Sequence, residues 1–258
     1  MFPKKSKKQL FLNYKGGTGK TSVSTAYGCY LASQGRRVLM VDLDAQAHLT
    51  TCLNEESVHH EKSLYSVVVK GEDIKSVIAD TAITNLKLVP SSISLSSLEL
   101  SLSRMPLREF KLRQALKKVE HEYDYIVIDS APAIGLLSLN AILASDEILI
   151  PLLADFLSFH GLKILLETLS SIEKDFSFYT GKARIFLNRY NPDYPICAEC
   201  AEAVAKFYPE RLLKTVIRES QEIMNASSEG KSIFDLYPDS KAAEDIKKLV
   251  NEVNGGEL

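Results

Sequence analysis

The stretch Lys15-Gly16-Gly17-Thr18-Gly19-Lys20-Thr21-Ser22 constrains this chain more than any other. It follows an apolar-rich run, Leu10–Tyr14, and precedes a segment of helical period, Val23 to Gln34, that stops at Gly35. Between a strand and a helix, glycines let the backbone curl until successive N–H groups point inward. The first helical turn adds the positive end of its dipole. The result is a cradle for a phosphate chain, in which Lys20 reaches the β- and γ-phosphates and the Thr21 hydroxyl ligates Mg²⁺. One position departs from the standard phosphate-loop pattern. Its first glycine is Tyr14 here, and a second lysine, Lys15, opens the loop. A plain connecting turn is the alternative; the Gly-Lys-Thr triplet, its flanking elements and the carboxylates described next argue against it.

Apolar runs alternate with helical segments along the whole chain. Leu10–Tyr14, Val38–Leu43, Leu86–Pro90, Tyr125–Asp129, Glu147–Pro151, Ala183–Asn188 and Leu213–Ile217 are expected strands, most of them apolar on both faces, as in a sheet covered by helices on each side. Leu162, Leu165, Leu166, Leu169 and Ile172 form one apolar stripe, as do Ile246, Leu249, Val250 and Val253. The pattern predicts an α/β fold: a single doubly wound, mainly parallel sheet flanked by helices. Residues 10–258 are expected to form this one domain, with residues 1–9, which carry Lys4, Lys5, Lys7 and Lys8, as a basic N-terminal arm.

In open α/β sheets the site lies at the carboxyl ends of the strands. Two expected strands deliver aspartates there: Asp42 and Asp44 from Val38–Leu43, and Asp129 from Tyr125–Ile128. A carboxylate after four apolar residues is costly to bury without a cation or donors. Mg²⁺ held through water supplies that partner for Asp129, with Asp42 behind it, and Asp44 falls near the γ-phosphate, placed to orient a water. Helix N-capping is the other use for such aspartates.

With these residues in place, the chain resembles the ParA/Soj/MinD group of deviant Walker P-loop ATPases (SIMIBI type), and its short ParA branch most closely. Asp42-Leu43-Asp44-Ala45-Gln46 resembles the group's second motif with Ala45 for the usual proline, and Tyr123-Asp124-Tyr125-Ile126-Val127-Ile128-Asp129 its Walker B strand. Gly161-Leu162 and Gly230-Lys231-Ser232-Ile233 match later landmarks. The resemblance implies a role in chromosome or plasmid partitioning driven by slow, Mg²⁺-dependent ATP hydrolysis at Lys15, Lys20 and Asp44; the alternative is a MinD-like or protein-cargo positioning ATPase that acts on a membrane or a protein cluster. It also implies an ATP-dependent homodimer in which Lys15 reaches the partner's nucleotide and Gly16 lies at the contact, and a ParB-like partner that stimulates turnover. Asn188 resembles the polar residue that reads the base; a turn asparagine before Tyr190-Asn191-Pro192 is the competing reading.

ParA relatives bind DNA without sequence preference, which makes Arg189, Lys214 and Arg218 candidate phosphate contacts here. The chain departs from the pattern at two commonly basic positions, Asp193 and Glu219. The net charge is −2, so any polyanion contact must be local. From Lys182 to Arg218 seven basic residues face four acids (net +3), and from Glu219 onward nine acids face four lysines (net −5). Such a patch suits DNA phosphates; solvated helix faces would look the same. Acids offset the lysines of the last helix, so it is expected to pack on the core, not on a membrane. Four cysteines make no disulfide framework; Cys197 and Cys200 read as buried apolar groups, and His59-His60 as exposed. No apolar run is long enough to span a bilayer, and no long apolar stretch follows the N-terminal lysines as a signal peptide requires. A reduced cytoplasmic setting is expected, on the nucleoid if DNA is bound.

Overall fold

Alternation along the strands sends side chains to two separate cores. In the computed structural model, which describes residues 5–54, 62–176 and 182–256, the strand β2 (Val38–Leu43) is buried throughout. Leu39, Val41 and Leu43 belong to one core, Val38 and Met40 to the other. The strand β5 (Tyr125–Ser130) does the same: Ile126 and Ile128 face one way, Val127 the other. This double burial is why the strands read as continuous apolar runs.

The remaining strands are β1 (Lys7–Phe11), β3 (Ala79–Asp80), β4 (Leu86–Val89), β6 (Glu147–Leu153), β7 (Lys182–Tyr190) and β8 (Ile217–Arg218). Their order across the sheet is β3-β4-β2-β5-β1-β6-β7-β8. Among the described residues all pairings are parallel except β3 with β4. The expected doubly wound α/β sheet is therefore present, with strands added outward on both sides of β1 and β5. On one face lie α3 (Leu64–Val68), α5 (Lys111–Leu116), α6 (Leu136–Ala144), α7 (Phe156–Phe176) and α8 (Pro195–Phe207); on the other lie α1 (Lys20–Ser33), α2 (His48–Leu53), α9 (Glu222–Ser228), α10 (Ile233–Leu236) and α11 (Lys241–Val253). The short α4 (Leu98–Leu102) joins the first group.

Several expectations shift. β1 begins at Lys7, not Leu10, so Lys7, Lys8 and Gln9 of the expected arm lie in the sheet. Charged residues fit there because acids meet them: Lys7 pairs with Glu147 at 2.9 Å, Lys8 with Glu120 and Asp146 at 3.3 Å each, and Gln9 donates to Glu147 at 2.9 Å. The expected strand Leu213–Ile217 shrinks to the two residues of β8, although the Leu213 N–H still bonds to the Ile185 carbonyl at 2.8 Å. The β3 edge pairing was not foreseen. His59 and His60 lie outside the described residues.

Helix α11 starts at a cap, Ser240, whose hydroxyl accepts from the Ala243 N–H at 3.1 Å. Its Ala243, Ile246, Leu249, Val250 and Val253 are buried in the core it shares with α1. The apolar stripe is thus spent on packing, as expected. Cys197 and Cys200 are buried on one face of α8. Among the described residues no helix is long and apolar enough to cross a membrane.

Candidate nucleotide site

The strand register places two carboxylates side by side. Asp42 of β2 lies opposite Asp129 of β5, and Asp129 opposite Phe11 of β1, so the carboxyl ends of three adjacent strands meet where β1 turns into its loop. Residues 12–19 form that loop and Lys20 opens α1. Gly17 and Gly19 have φ of +73° and +81°, the left-handed region that side chains resist. A Cβ at Gly19 would also fall on Asn188 Nδ2.

Lys20 is buried, and its Nζ donates to the Lys15 carbonyl at 3.3 Å. Burial pushes its pKa down, while the Asp129 and Asp44 carboxylates pull it up. The Thr21 hydroxyl donates to Asp129 Oδ2 at 2.6 Å. Asp129 is wholly buried, and its other oxygen, Oδ1, has no hydrogen-bond partner among the described residues. Burial raises its pKa to about 7, the Asp42 charge adds to the rise, and Thr21, Lys20 and Ser24 oppose it. A buried anionic oxygen without a donor, beside a hydroxyl and an ammonium, fits a hard cation.

Asp42 is also fully buried but well supplied. Its Oδ2 accepts from the Thr50 N–H at 2.8 Å and hydroxyl at 2.7 Å, and its Oδ1 from the Asp44 N–H at 3.0 Å. Burial lifts its pKa to about 6 against those bonds. Asp42 therefore anchors the turn into α2, and through it Asp44, more than it faces a ligand. Asp44 is half-buried and accepts from the Gln46 N–H at 2.9 Å.

Lys15 is drawn inward within its own chain. Its Nζ lies 3.2 and 3.1 Å from the two carboxylate oxygens of Asp155 and 2.9 Å from Ser158 Oγ. Sequence reading missed this pair; the Asp-x-x-Ser spacing before an apolar-periodic helix was its available signal, because that is how α7 is capped. Thr50, the partner of Asp42, carried no sequence signal.

Asn188, at the end of β7, donates from Nδ2 to the Thr18 carbonyl at 2.7 Å. Beside it a cleft of about 610 Å³ opens from Gly17, Gly19 and Ser22 toward Gln221, Ile223 and Met224, a mixed apolar and polar lining suited to a flat base. Arg189 and Arg218 also line this cleft, and they are engaged: Arg189 with Glu219 at 3.1 Å, and Arg218 with the buried Asp245 at 2.7 Å. Lys214 is exposed, with its backbone N–H bonded to Glu252 at 2.7 Å. The three candidate DNA contacts thus do not form one open set. The Arg218 guanidinium is bonded into the base of α11.

A parallel sheet whose first strand runs into a lysine-opened glycine loop, with a threonine bonded to the aspartate of a neighbouring strand, defines a P-loop nucleoside triphosphatase of the deviant Walker type. The family described as "AAA domain" matches residues 6–179. The chain belongs to the ParA/MinD family of P-loop ATPases. It is 46% identical over 247 residues to the cell division protein PomZ of Myxococcus xanthus, covering 96% of this chain and 77% of PomZ. It is 35% identical to the sporulation initiation inhibitor protein Soj of Bacillus subtilis, covering 93% of this chain and 95% of Soj. In structure it is similar to an ATP complex of a Cyanothece McdA variant, with a TM-score of 0.87, 27% identity and 98% of each chain covered.

Proposed function

We propose that this ATPase positions a cargo by switching between an ADP-bound monomer and an ATP-bound homodimer. The observation that carries the reading is the cluster at the ends of β1, β2 and β5: buried Lys20, Thr21 bonded to Asp129, and an Asp129 oxygen without a donor among the described residues. The substrate is ATP with Mg²⁺. Backbone N–H groups of residues 15–22 cradle the phosphates, and Lys20 neutralises the β- and γ-oxygens. Thr21, and Asp129 through water, would hold the magnesium ion, whose charge stabilises the oxygens that become anionic. Asp44 orients the attacking water toward the γ-phosphorus; the water oxygen bonds there as the bond from the γ-phosphorus to the β–γ bridging oxygen breaks, giving ADP and inorganic phosphate. The cleft beside Asn188 holds the base, and Asn188 steadies the phosphate loop through its bond to Thr18.

Lys15 supplies the switch. Released from its own chain, its ammonium reaches the nucleotide bound in the partner. One such contact at about 4 Å is worth roughly 4 kcal/mol at an effective dielectric of 20. Made only while the triphosphate persists, two of these contacts shift the monomer–dimer balance, and hydrolysis removes them.

In its dimeric state the protein binds DNA through exposed basic residues of the 182–218 span, Lys214 among them, and a ParB-like partner stimulates hydrolysis. It works in the cytoplasm and joins the nucleoid while bound to DNA. Light scattering with ADP, with a non-hydrolysable ATP analogue plus Mg²⁺, and without nucleotide tests the switch. A chain that stays monomeric with the analogue ends this reading. DNA co-sedimentation in the same three states, at two salt concentrations, tests the surface. The ion pairs on Arg189 and Arg218 favour a second reading, a related positioning ATPase whose surface is a membrane or whose cargo is a protein cluster. DNA indifference in the ATP state selects it.

A further inference from the structure

The ammonium of Lys15 is held by a built site, not by chance. Its three protons match three acceptors: both oxygens of Asp155, at 3.2 and 3.1 Å, and Ser158 Oγ at 2.9 Å. The acceptors are themselves fixed. Asp155 sits immediately before α7 as its cap, taking the Ser158 N–H at 2.7 Å on Oδ1 and the Ser158 hydroxyl at 2.9 Å on Oδ2. Its carbonyl accepts from the Phe159 N–H at 3.1 Å and lies 3.8 Å from Cys200 Sγ on α8. On the other side the Lys15 N–H bonds to Asn13 Oδ1 at 3.0 Å, and Asn13 Nδ2 to the Pro151 carbonyl at 2.8 Å. The loop is thereby tied to the end of β6, the strand that leads to Asp155. Both side chains of the pair remain more than a third exposed (39% and 38%), so a phosphate can replace the carboxylate without unpacking the core.

We infer that Asp155 is a positioning residue for Lys15: it berths the ammonium within its own chain, and the exchange of this carboxylate for the partner's phosphate sets the nucleotide and protein concentration at which dimers form. This rests on the dimer switch proposed above. The berth orients Lys15 at the loop mouth and at the same time charges a cost for leaving. An exposed ion pair of this kind changes an equilibrium by about two- to fivefold. Two lysines leave their berths per dimer, so the combined effect on the dimer dissociation constant is on the order of tenfold.

The experiment is the dimer dissociation constant from sedimentation or light scattering, with a saturating non-hydrolysable ATP analogue and Mg²⁺, for the full chain and two variants. Asp155→Asn keeps the cap on α7, since asparagine caps as well as aspartate, but removes the charge. It is expected to dimerise at about tenfold lower protein concentration than the parent, and to remain monomeric with ADP. Asp155→Glu, which retains the charge, is expected to return toward the parent value, and the gap between Asp155→Asn and the parent is expected to narrow in high salt. A merely structural role would give neither the nucleotide dependence nor the recovery. If the parent dimerises and Asp155→Asn dimerises equally or more weakly, the berth is wrong while the switch stands. If the parent itself never dimerises, both fall together.

Discussion

Asn188 Nδ2 donates to the Thr18 carbonyl at 2.7 Å, in the space that the missing side chain of Gly19 leaves open. The two residues are 170 positions apart in sequence, yet this bond ties the phosphate loop to the end of β7. Losing a buried donor strands its acceptor, at a cost of about 1–3 kcal/mol. Asn188→Ala is therefore expected to weaken binding of ATP and of inorganic tripolyphosphate by the same factor, roughly 5- to 150-fold. Calorimetric titration of both ligands decides this. Weakened ATP binding with unchanged tripolyphosphate binding would assign the side chain to the base alone.

Gly16 has a different surrounding. Among the described residues nothing lies within 4 Å of where its Cβ would be. Gly16→Val is expected to keep the parent melting temperature and nucleotide affinity, because the monomer has room for the side chain. It is also expected to lose the ATP-dependent dimer, whose subunits meet at this point in the proposed switch. Scattering and nucleotide titration on one sample check both halves, and an ATP-dependent dimer of this variant contradicts the arrangement.

Asp129 makes stability depend on pH in a defined direction. Its carboxyl rises from the ordinary 3.8 to about 7, chiefly through burial, and Asp42 rises to about 6. The folded state thus holds these protons more tightly than the unfolded chain. Their stabilising contribution is complete below about pH 4 and is lost as pH rises toward 7. The nucleotide-free protein is expected to melt higher at pH 5.5 than at pH 8. Asp129→Asn, which removes the buried charge, is expected to raise stability at pH 8 by about 1–3 kcal/mol, while abolishing the further stabilisation by Mg²⁺ and ATP. Thermal melts at the two pH values, with and without ligand, read all three effects.

Arg218 and Lys214 separate structure from surface charge. The Arg218 guanidinium meets both oxygens of Asp245, at 2.8 and 2.7 Å, and Asp245 is buried. Reversing it strands that carboxylate; because Arg218 is about one-third exposed (32%), the cost is expected near 2–3 kcal/mol, below that of a fully buried pair. Lys214→Glu is expected to leave urea unfolding within about 0.5 kcal/mol of the parent. It should also weaken ATP-dependent DNA binding and lower its salt slope by about one unit. An Arg218→Glu variant with parent stability would refute the structural role.

What could be read beforehand follows from the range of the interactions. The doubly wound sheet was legible because a strand buried on both faces is apolar along nearly its whole length, as Val38–Val41 is. The start of β1 was not, because Lys7, Lys8 and Gln9 look like a solvated tail until Glu147, Glu120 and Asp146 arrive to neutralise and bond them. The β8 strand was overextended for the converse reason: Leu213 is apolar and docks on β7, but only Ile217 and Arg218 find a ladder.

The sequence by itself determined the phosphate loop, its two lysines and the aspartates at the strand ends, since each depends on residues within a few positions of one another and on the local path of the backbone. Only the tertiary structure decided where the charges go. It set Lys15 on Asp155, Arg218 on Asp245 and the Asn188 amide under the loop. A charge or a hydrogen-bonding group takes whichever partner folding brings within about 3 Å, and that choice is made by strand order, not by neighbours along the chain.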